Sequence, residues 1–167
     1  TYTATDAAGN TTTLSFTVTV NDTEAPVIVN LPSNITQSND ASLCSAVVSW
    51  TESTAADNCP GSTIAQTAGN ANGAAFPVGT STVTYTATDA AGNTTILSFT
   101  VTVNDNEAPS IVGLPSNITQ SNDASLCSAV VSWTEPTAAD NCPGSTIAQT
   151  AGSANGAAFP VDTSTVT

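Results

Sequence analysis

The chain repeats itself with a period of 83 residues, and this repeat constrains its fold more than any other feature. The segment TYTATDAAGN begins at Thr1 and again at Thr84. Residues 1–84 and 84–167 differ at seven positions, which in the first copy are 13, 23, 27, 30, 53, 70 and 79. Nearly identical copies must adopt the same fold, so the sequence predicts a tandem array of like units. We expect a stretch of a long periodic polymer; an arbitrary cut through a longer chain is the alternative.

Each copy carries the alternating pattern of half-buried β-strands. Val83, Tyr85 and Ala87 alternate with threonines, and apolar side chains alternate with Ser and Thr over residues 97–103. Residues 89–93, which include a glycine, suit a tight turn and predict a β-hairpin. Further strands are expected at residues 27–29, 35–37, 43–50 and 63–67, with an edge or bend at 76–78. About seven short strands per period predict an all-β fold, an immunoglobulin-like β-sandwich repeated in tandem.

Domain boundaries are expected where a strand ends, acidic residues cluster and a proline restarts the chain in an extended form. Residues 22–104 then form one complete sandwich, residues 1–21 the C-terminal hairpin of a preceding repeat, and residues 105–167 a following repeat that lacks its last hairpin. Isolated hairpins are marginal in water. We therefore expect a continuous polymer to supply the missing strands, with strand addition between neighbouring chains as the alternative.

The charge of the chain excludes several classes of function. The sequence contains thirteen Asp and Glu residues and no Lys, Arg or His, so its formal charge is −13. Without cations to pair with phosphate, we expect no binding to nucleic acid or to an anionic membrane. The usual His base and the Lys or Arg groups of enzymes are missing too, so an enzyme is not expected. No apolar run approaches the roughly 18 residues of a membrane span, so no membrane insertion is predicted in this segment.

Four ordered motifs resemble those of the hyalin repeat (HYR) family. They are CSAVVSW at residues 44–50, AADNCP at 55–60, FPVG at 76–79 and VTYTATDAAGN at 83–93. The resemblance covers the whole 83-residue period. It implies an immunoglobulin-like sandwich in extracellular, often tandem, adhesion-related proteins, and a module without enzymatic activity. The near-identity of the copies favours a bacterial surface or secreted protein over an animal mosaic receptor.

The four cysteines allow three pairings. Because each copy is expected to fold with its own pair, we predict the disulfides Cys44–Cys59 and Cys127–Cys142. Closing such a short loop would contribute about 3 kcal/mol in the chain-entropy model. Disulfides also imply an oxidising compartment, so we expect an extracellular or cell-surface location. The alternative is a metal site built on two cysteines.

The acidic residues recur at fixed phases of the period and concentrate at the domain boundaries. Calcium takes six to eight oxygen ligands, and residues 104–109 supply carboxylate and amide oxygens densely. This segment is also similar to the calcium-binding linker of cadherins. We predict that calcium stiffens the junctions between domains, with Asp22 and Glu24 as candidate ligands at one junction and Asp105 and Glu107 at the next. Asp89 in the hairpin loop is a further candidate ligand, and the sequence leaves open whether this loop meets a junction. The alternative is a solvated polar linker in which Asp and Asn serve local turns.

Five N-x-S/T sequons are candidate glycosylation sites, at Asn10, Asn21, Asn34, Asn93 and Asn117. The alternative is that a chain rich in Asn and Thr produces this motif by chance.

The predicted function is structural. We expect a repeat of an extracellular fibre, stalk or adhesin shaft whose partners are adjacent copies of itself. The alternative is a multivalent adhesion module in which each copy binds a glycan or a cell-surface protein, because repeated identical sites give avidity. Calcium is the only cofactor expected.

Overall fold

The computed structural model describes all 167 residues, and every regular element in it is a β-strand. The strands, in chain order, are β1 (Tyr2–Thr5), β2 (Thr11–Leu14), β3 (Val27–Val29), β4 (Ile35–Ser38), β5 (Ser45–Val47), β6 (Thr54–Ala56), β7 (Thr63–Ala68), β8 (Ala75–Pro77), β9 (Gly79–Thr88), β10 (Thr94–Asn104), β11 (Ser110–Val112), β12 (Ser128–Val130), β13 (Thr137–Ala139) and β14 (Ala158–Pro160). The all-β, immunoglobulin-like β-sandwich expected from the sequence is confirmed. The structure contains no helix with the length and apolar character that crossing a membrane requires.

The strands belong to two compact units, each assembled from segments that are not consecutive in sequence. The first unit contains residues 1–32, 51–68 and 83–98, and the second contains residues 33–50, 69–82 and 99–167. The longest strands are β9 and β10. They form the centre of a four-stranded sheet with the order β4-β10-β9-β7. The boundaries proposed from the sequence, after residues 21 and 104, stay a prediction.

The first unit contains the antiparallel pairs β7–β9 and β3–β6. A register shift between Gln66 and Ala68 interrupts the β7–β9 ladder. Val83, Tyr85 and Ala87 of β9 are buried while the threonines between them are half-exposed, as the two-residue period of a strand requires. The hydroxyl of Tyr85 donates a 2.7 Å hydrogen bond to the carboxylate of Glu52, which satisfies the polar end of this buried ring.

The second unit contains the antiparallel pair β5–β8 and a parallel pair in which residues 35–38 of β4 run beside residues 101–104 of β10. Its core combines Val48, Phe76, Val101 and other side chains that are almost completely buried. Trp50 is half-buried and packs edge-on against Phe76 and Phe99, with ring centroids 6.0 and 5.2 Å apart. These contacts join β8 to β10 through the indole and close the sandwich at this point.

The repeat allows one sequence to be compared with and without its packing partner. We call residues 1–21 the leading hairpin, residues 22–104 the complete copy and residues 105–167 the following copy. In the complete copy Tyr85, Phe99 and Val101 are 3, 3 and 0% exposed, whereas their equivalents Tyr2, Phe16 and Val18 in the leading hairpin are 72, 67 and 77% exposed. The following copy, which has no hairpin of its own in this sequence, forms four three-residue strands, β11–β14.

Candidate functional site: the joint between repeats

The complete copy and the following copy meet in a polar region where β10 ends. We call this region the joint and define it as residues 38–44 together with residues 105–107 and 140–142; all of them lie in the second unit. The backbone N–H of Asn39 donates to the carbonyl of Asn104 at 2.9 Å. Asn106 donates two hydrogen bonds. Its backbone N–H donates to Asn39 Oδ1 at 3.1 Å, and its side-chain amide donates to Ser38 Oγ at 2.6 Å. Asparagine side chains therefore bind the end of one copy to the start of the next.

A carboxylate of the following copy is held by donors of the complete copy. Glu107 Oε1 accepts the backbone N–H of Ser42 at 2.5 Å and the side-chain amide of Asn39 at 3.3 Å. Within its own copy, Asp105 Oδ1 accepts the backbone N–H of Glu107 at 3.2 Å. Because the chain has no Lys, Arg or His, neutral N–H groups carry out the role that cations have in most acidic clusters. A hydrogen bond to an ionised acceptor is stronger than one between neutral groups.

The joint is also closed by a covalent bond. Cys44 of the complete copy is bonded to Cys142 of the following copy, with their Cα atoms 4.8 Å apart. The predicted bridges Cys44–Cys59 and Cys127–Cys142 are therefore wrong in this structure, where Cys59 and Cys127 are free thiols. The prediction assumed that each copy closes a bridge of its own. Periodicity requires only that every copy pair its cysteines in the same way, and a bond from each copy to the next meets that requirement equally well.

Asn141 fixes the position of Cys142 beside Cys44. Its side-chain amide donates to the carbonyl of Leu43 at 3.0 Å, to Asp105 Oδ1 at 3.4 Å and weakly to Cys142 Sγ at 3.6 Å. These bonds place the segment that precedes Cys142 against the segment that precedes Cys44, which explains why the sulfurs meet. Sequence reasoning missed Asn141, although it stands next to the cysteine in each copy of the motif DNC.

The loop that carries Cys44 folds in the same way whether or not a neighbouring copy is bound to it. In the complete copy Asp40 Oδ2 accepts the backbone N–H of Val47 at 2.9 Å. In the following copy, where this loop has no neighbour, Asp123 Oδ2 accepts the N–H of Val130 at 3.0 Å. Ser42 and its equivalent Ser125 share a positive φ of 60° and 63°. The socket for the next copy is therefore preformed by local hydrogen bonds.

The two free cysteines are the 83-residue equivalents of the two bonded ones. Cys59 corresponds to Cys142 and is half-buried, and Cys127 corresponds to Cys44 and is exposed. The thiol of Cys59 lies beside Asp22 and Asp57. Its hydrogen bond to the Asp22 carboxylate, with burial and the nearby negative charges, raises the pKa of Cys59 above its ordinary value.

The hairpin turn after β9 meets the segment where the complete copy begins. The side-chain amide of Asn93 donates to Asp89 Oδ2 at 2.8 Å and to the carbonyls of Asp22 and Glu24 at 3.3 and 3.1 Å. Burial raises the pKa of Asp89, but hydrogen bonds from the Asn93 side chain and from nearby backbone N–H groups outweigh it, so this pKa is lowered. Asp89 in its ionised form thus organises the turn.

The five predicted calcium ligands divide between different places. Asp105 and Glu107 are in the joint, whereas Asp22, Glu24 and Asp89 surround the start of the complete copy. Two of the candidate carboxylates, those of Asp22 and Asp105, accept the backbone N–H two residues further along, as in an Asx turn. The predicted calcium ligands therefore lie at two equivalent positions of the period, one per junction, and Asp89 joins the group at the start of the complete copy.

Two observations bear on whether these residues fit calcium. Oδ1 of Asn141 is buried in the joint and has no hydrogen-bond partner, and an amide carbonyl oxygen is a ligand that calcium takes. Asp22, by contrast, lies in a group with Asp57 and Cys59 whose ligand atoms are within 4.8 Å of one another. A thiol is a soft ligand and does not suit calcium. The joint fits the ion better than the start of the complete copy, and calcium binding stays a prediction.

The candidate glycosylation sites differ in exposure. Asn10, Asn21, Asn34 and Asn117 are exposed, and Asn93 is half-buried. An N-linked glycan would attach to the amide nitrogen of Asn93 and displace contacts that this nitrogen makes with Asp89, Asp22 and Glu24. The other four asparagines are the more accessible candidates, and modification of any of them stays a prediction.

Comparison with known proteins agrees with this architecture. Residues 21–103 and 104–167 each match the HYR domain. The chain is 40% identical over 172 residues to Hyalin of Strongylocentrotus purpuratus and 39% identical over 170 residues to Hyalin of Lytechinus variegatus, in both cases across 99% of its own length. It spans 14% and 32% of the length of these two relatives. No solved structure matches the chain significantly.

Proposed function

The chain belongs to the HYR domain family, and from this premise we propose that it is a structural segment of an extracellular shaft, fibre or stalk in which a disulfide closes each joint between repeats. The role is mechanical and non-enzymatic. Each sandwich is one unit of the shaft, and the joints determine how far neighbouring units can separate. Near-identity of the copies favours a uniform shaft and is the feature that supports a bacterial source.

The Cys44–Cys142 bond carries this proposal. It spans 98 residues of sequence and links two successive copies, so the peptide chain is not the only covalent connection between them. A force that pulls the two copies apart is therefore borne by the disulfide until that bond breaks. Bridges of this kind require an oxidising compartment, which supports an extracellular or cell-surface location.

The charge distribution supports the same role. The chain has thirteen acidic side chains and no basic ones, so neighbouring shafts repel one another at distances up to about the Debye length of 8 Å at physiological salt. Within a shaft, the carboxylate of Glu107 is satisfied by N–H donors of the preceding copy. The acidic surface thus keeps shafts apart, while hydrogen bonds and disulfides hold each one together.

Single-molecule pulling tests the proposal. In an oxidised chain held at its two termini, the bridge prevents the 98-residue span between Cys44 and Cys142 from extending. Adding a reductant should therefore lengthen the fully unfolded chain by about 320–350 Å, at 3.3–3.6 Å per extended residue. A chain with Cys59→Ser and Cys127→Ser keeps the bridge and is the matched control, since it should show the same gain. Equal lengths of the unfolded chain with and without reductant would contradict the proposed mechanical role.

A further inference from the structure

The side chain of Asn72 binds the backbone of Trp50 through two hydrogen bonds, which we call the clamp. Asn72 Oδ1 accepts the backbone N–H of Trp50 at 2.9 Å, and Asn72 Nδ2 donates to the carbonyl of Trp50 at 2.8 Å. One side-chain amide thus satisfies both backbone groups of this residue, as a neighbouring strand would. Because the indole of Trp50 packs against Phe76 and Phe99, the clamp anchors an aromatic residue of the sandwich to the turn that carries Asn72.

The same clamp occurs at the equivalent position of the period. Asn155 Oδ1 accepts the backbone N–H of Trp133 at 2.9 Å, and Asn155 Nδ2 donates to the carbonyl of Trp133 at 2.8 Å. Trp133 also packs edge-on against Phe159, as Trp50 does against Phe76. The clamp therefore belongs to the repeat and is not an accident of one copy.

The residue that follows each clamping asparagine is a glycine, and this pair is chemically reactive. Asn72-Gly73 and Asn155-Gly156 are the two Asn-Gly pairs of the chain. Both glycines have a φ of 77°, a left-handed conformation that favours glycine in the turn. An asparagine loses its amide as ammonia when the next backbone nitrogen attacks Cγ, and a glycine has no Cβ to hinder that approach. The clamp needs the asparagine and the turn needs the glycine, so the repeat contains a reactive pair.

Three hydrogen bonds keep this pair unreactive in the folded repeat. The attacking atom, the backbone nitrogen of Gly73, donates its hydrogen to the carbonyl of Val48 at 2.9 Å. Both polar atoms of the Asn72 side chain are held by the backbone of Trp50. Attack requires this side chain to rotate toward Gly73, which breaks the clamp, and the Gly73 nitrogen to lose its hydrogen, which breaks the third bond. Deamidation therefore requires the turn to open away from residues 48–50.

We propose that Asn72 is a modification site that the folded repeat protects and that local opening of the turn exposes to deamidation, so that a repeat whose turn has opened acquires a permanent negative charge there. This inference goes beyond the proposed mechanical role. It requires the opening of one turn by heat, denaturant or force, and it makes no use of the Cys44–Cys142 bond.

The reaction needs only water. Hydroxide removes the proton from the Gly73 nitrogen, which forms a bond to Asn72 Cγ. The Cγ–Nδ2 bond then breaks, and the departing nitrogen takes a proton from water and leaves as ammonia, which restores the hydroxide. Water opens the resulting cyclic imide at either of its two carbonyl groups. The product is aspartate or isoaspartate, and no oxidation or reduction takes place.

The product does not restore the clamp. A carboxylate accepts hydrogen bonds but does not donate them. An aspartate at position 72 can still accept the N–H of Trp50, but its second oxygen would face the carbonyl of Trp50 without a hydrogen between them. Isoaspartate also adds a methylene to the main chain and displaces the turn. The new charge has no Lys, Arg or His to pair with in this chain, so the modified turn should open more often than the original.

Deamidation kinetics of the oxidised wild-type chain test the proposal. The chain is kept at neutral pH in buffer or in guanidinium chloride and digested after Glu, and tandem mass spectrometry locates the replacement of NH₂ by OH. Asn72 should react about tenfold faster, or more, in guanidinium chloride, because the rate in buffer follows the open fraction of the turn. Asn70 precedes an alanine and is the internal control, which should react slowly in both solutions. Equal rates at Asn72, or no reaction there in guanidinium chloride, would overturn the proposal.

The variant Asn72→Asp tests the lasting effect of the modification. Hydrogen exchange of the Trp50 and Gly73 amides should be about tenfold faster than in the wild type, because the clamp has lost its donor. Asn70→Asp is the matched control, since it adds the same charge two residues away and also removes a bond to a carbonyl, that of Ala75. Wild-type exchange rates in Asn72→Asp would contradict a lasting effect. If this variant does not fold, the kinetics of the wild-type chain still decide whether the clamp protects Asn72.

Discussion

The carboxylate of Glu107 in one repeat accepts the backbone N–H of Ser42 in the repeat before it, at 2.5 Å. Ser42 has a positive φ of 60°, and the loop that holds it in this conformation is fixed by the bond from Val47 to Asp40. The acceptor comes from one copy and the preformed donor from the other. In a chain without cations, this bond is how a negative side chain strengthens a joint.

Replacing Glu107 with Gln should weaken the joint. The substitution keeps an oxygen acceptor but removes the charge, and we expect the free energy of unfolding to fall by about 1 kcal/mol, the difference between charged and neutral hydrogen bonds. Chemical denaturation monitored by the fluorescence of Trp50 and Trp133 measures this. Glu24→Gln is the matched control, because Glu24 occupies the same position of the period as Glu107 but is not one of the joint residues. Equal losses for both variants would contradict the role of the joint.

Removing the Cys44–Cys142 disulfide should lower the stability of the chain more than removing a short disulfide within one repeat would. A closed loop of about 100 residues is worth about 4.7 kcal/mol in the chain-entropy model, against about 3 kcal/mol for 15 residues. Cys44→Ser should therefore lower the midpoint of thermal unfolding clearly, and Cys59→Ser, which removes a thiol that is free here, should leave it almost unchanged. The reverse order of the two effects would be incompatible with the observed pairing.

The free energy of unfolding should fall in acid because Asp89 becomes protonated. Hydrogen bonds lower the pKa of Asp89 in the folded state, so its contribution is present above the unfolded-state pKa of about 3.9 and is lost as the pH falls through the folded value. The difference in unfolding free energy between the wild type and Asp89→Asn should be constant above about pH 5 and shrink below about pH 4. Denaturation curves at several pH values measure it, with Asp162→Asn as an exposed control. A difference that grew in acid would contradict this sign.

Calcium should act at the joint if the sequence-based prediction is right. Addition of calcium should then raise the midpoint of thermal unfolding, and a chelator should reverse the rise, because an ion that binds only the folded state stabilises it. Asn141→Ala, which removes the buried Oδ1, should abolish the rise, whereas Asn58→Ala should not. A midpoint that does not respond to calcium at millimolar concentration leaves the solvated-linker alternative.

The repeat and the alternation of Thr with apolar residues were enough to predict the sandwich and most of its strands. The strands predicted at 27–29, 35–37 and 63–67 are found at Val27–Val29, Ile35–Ser38 and Thr63–Ala68. The region 43–50 gave a strand of only three residues, Ser45–Val47, because its flanks serve the joint and the contact with Asn72. Strand β6 was not predicted, since Thr54–Ala56 is too short and too small to produce a pattern.

The disulfides could not be predicted, for a reason specific to arrays. A repeat defines which residues are equivalent, but it does not say whether a residue bonds within its own copy or with the next. That choice depends on tertiary contacts such as the bond from Asn141 to the carbonyl of Leu43. The spacing of residues in the sequence does not indicate these tertiary contacts.

Disulfide mapping tests the central claim most directly. The chain contains no Lys or Arg, but cleavage after Glu24, Glu52 and Glu107 separates Cys44 from Cys59 and both from Cys142. Glu135 precedes a proline, so residues 108–167 stay together, and a Cys127→Ser chain makes the assignment unambiguous. Mass spectrometry of the unreduced digest should find residues 25–52 bonded to residues 108–167. A bond between residues 25–52 and residues 53–107 would place the bridge within one repeat and contradict the account.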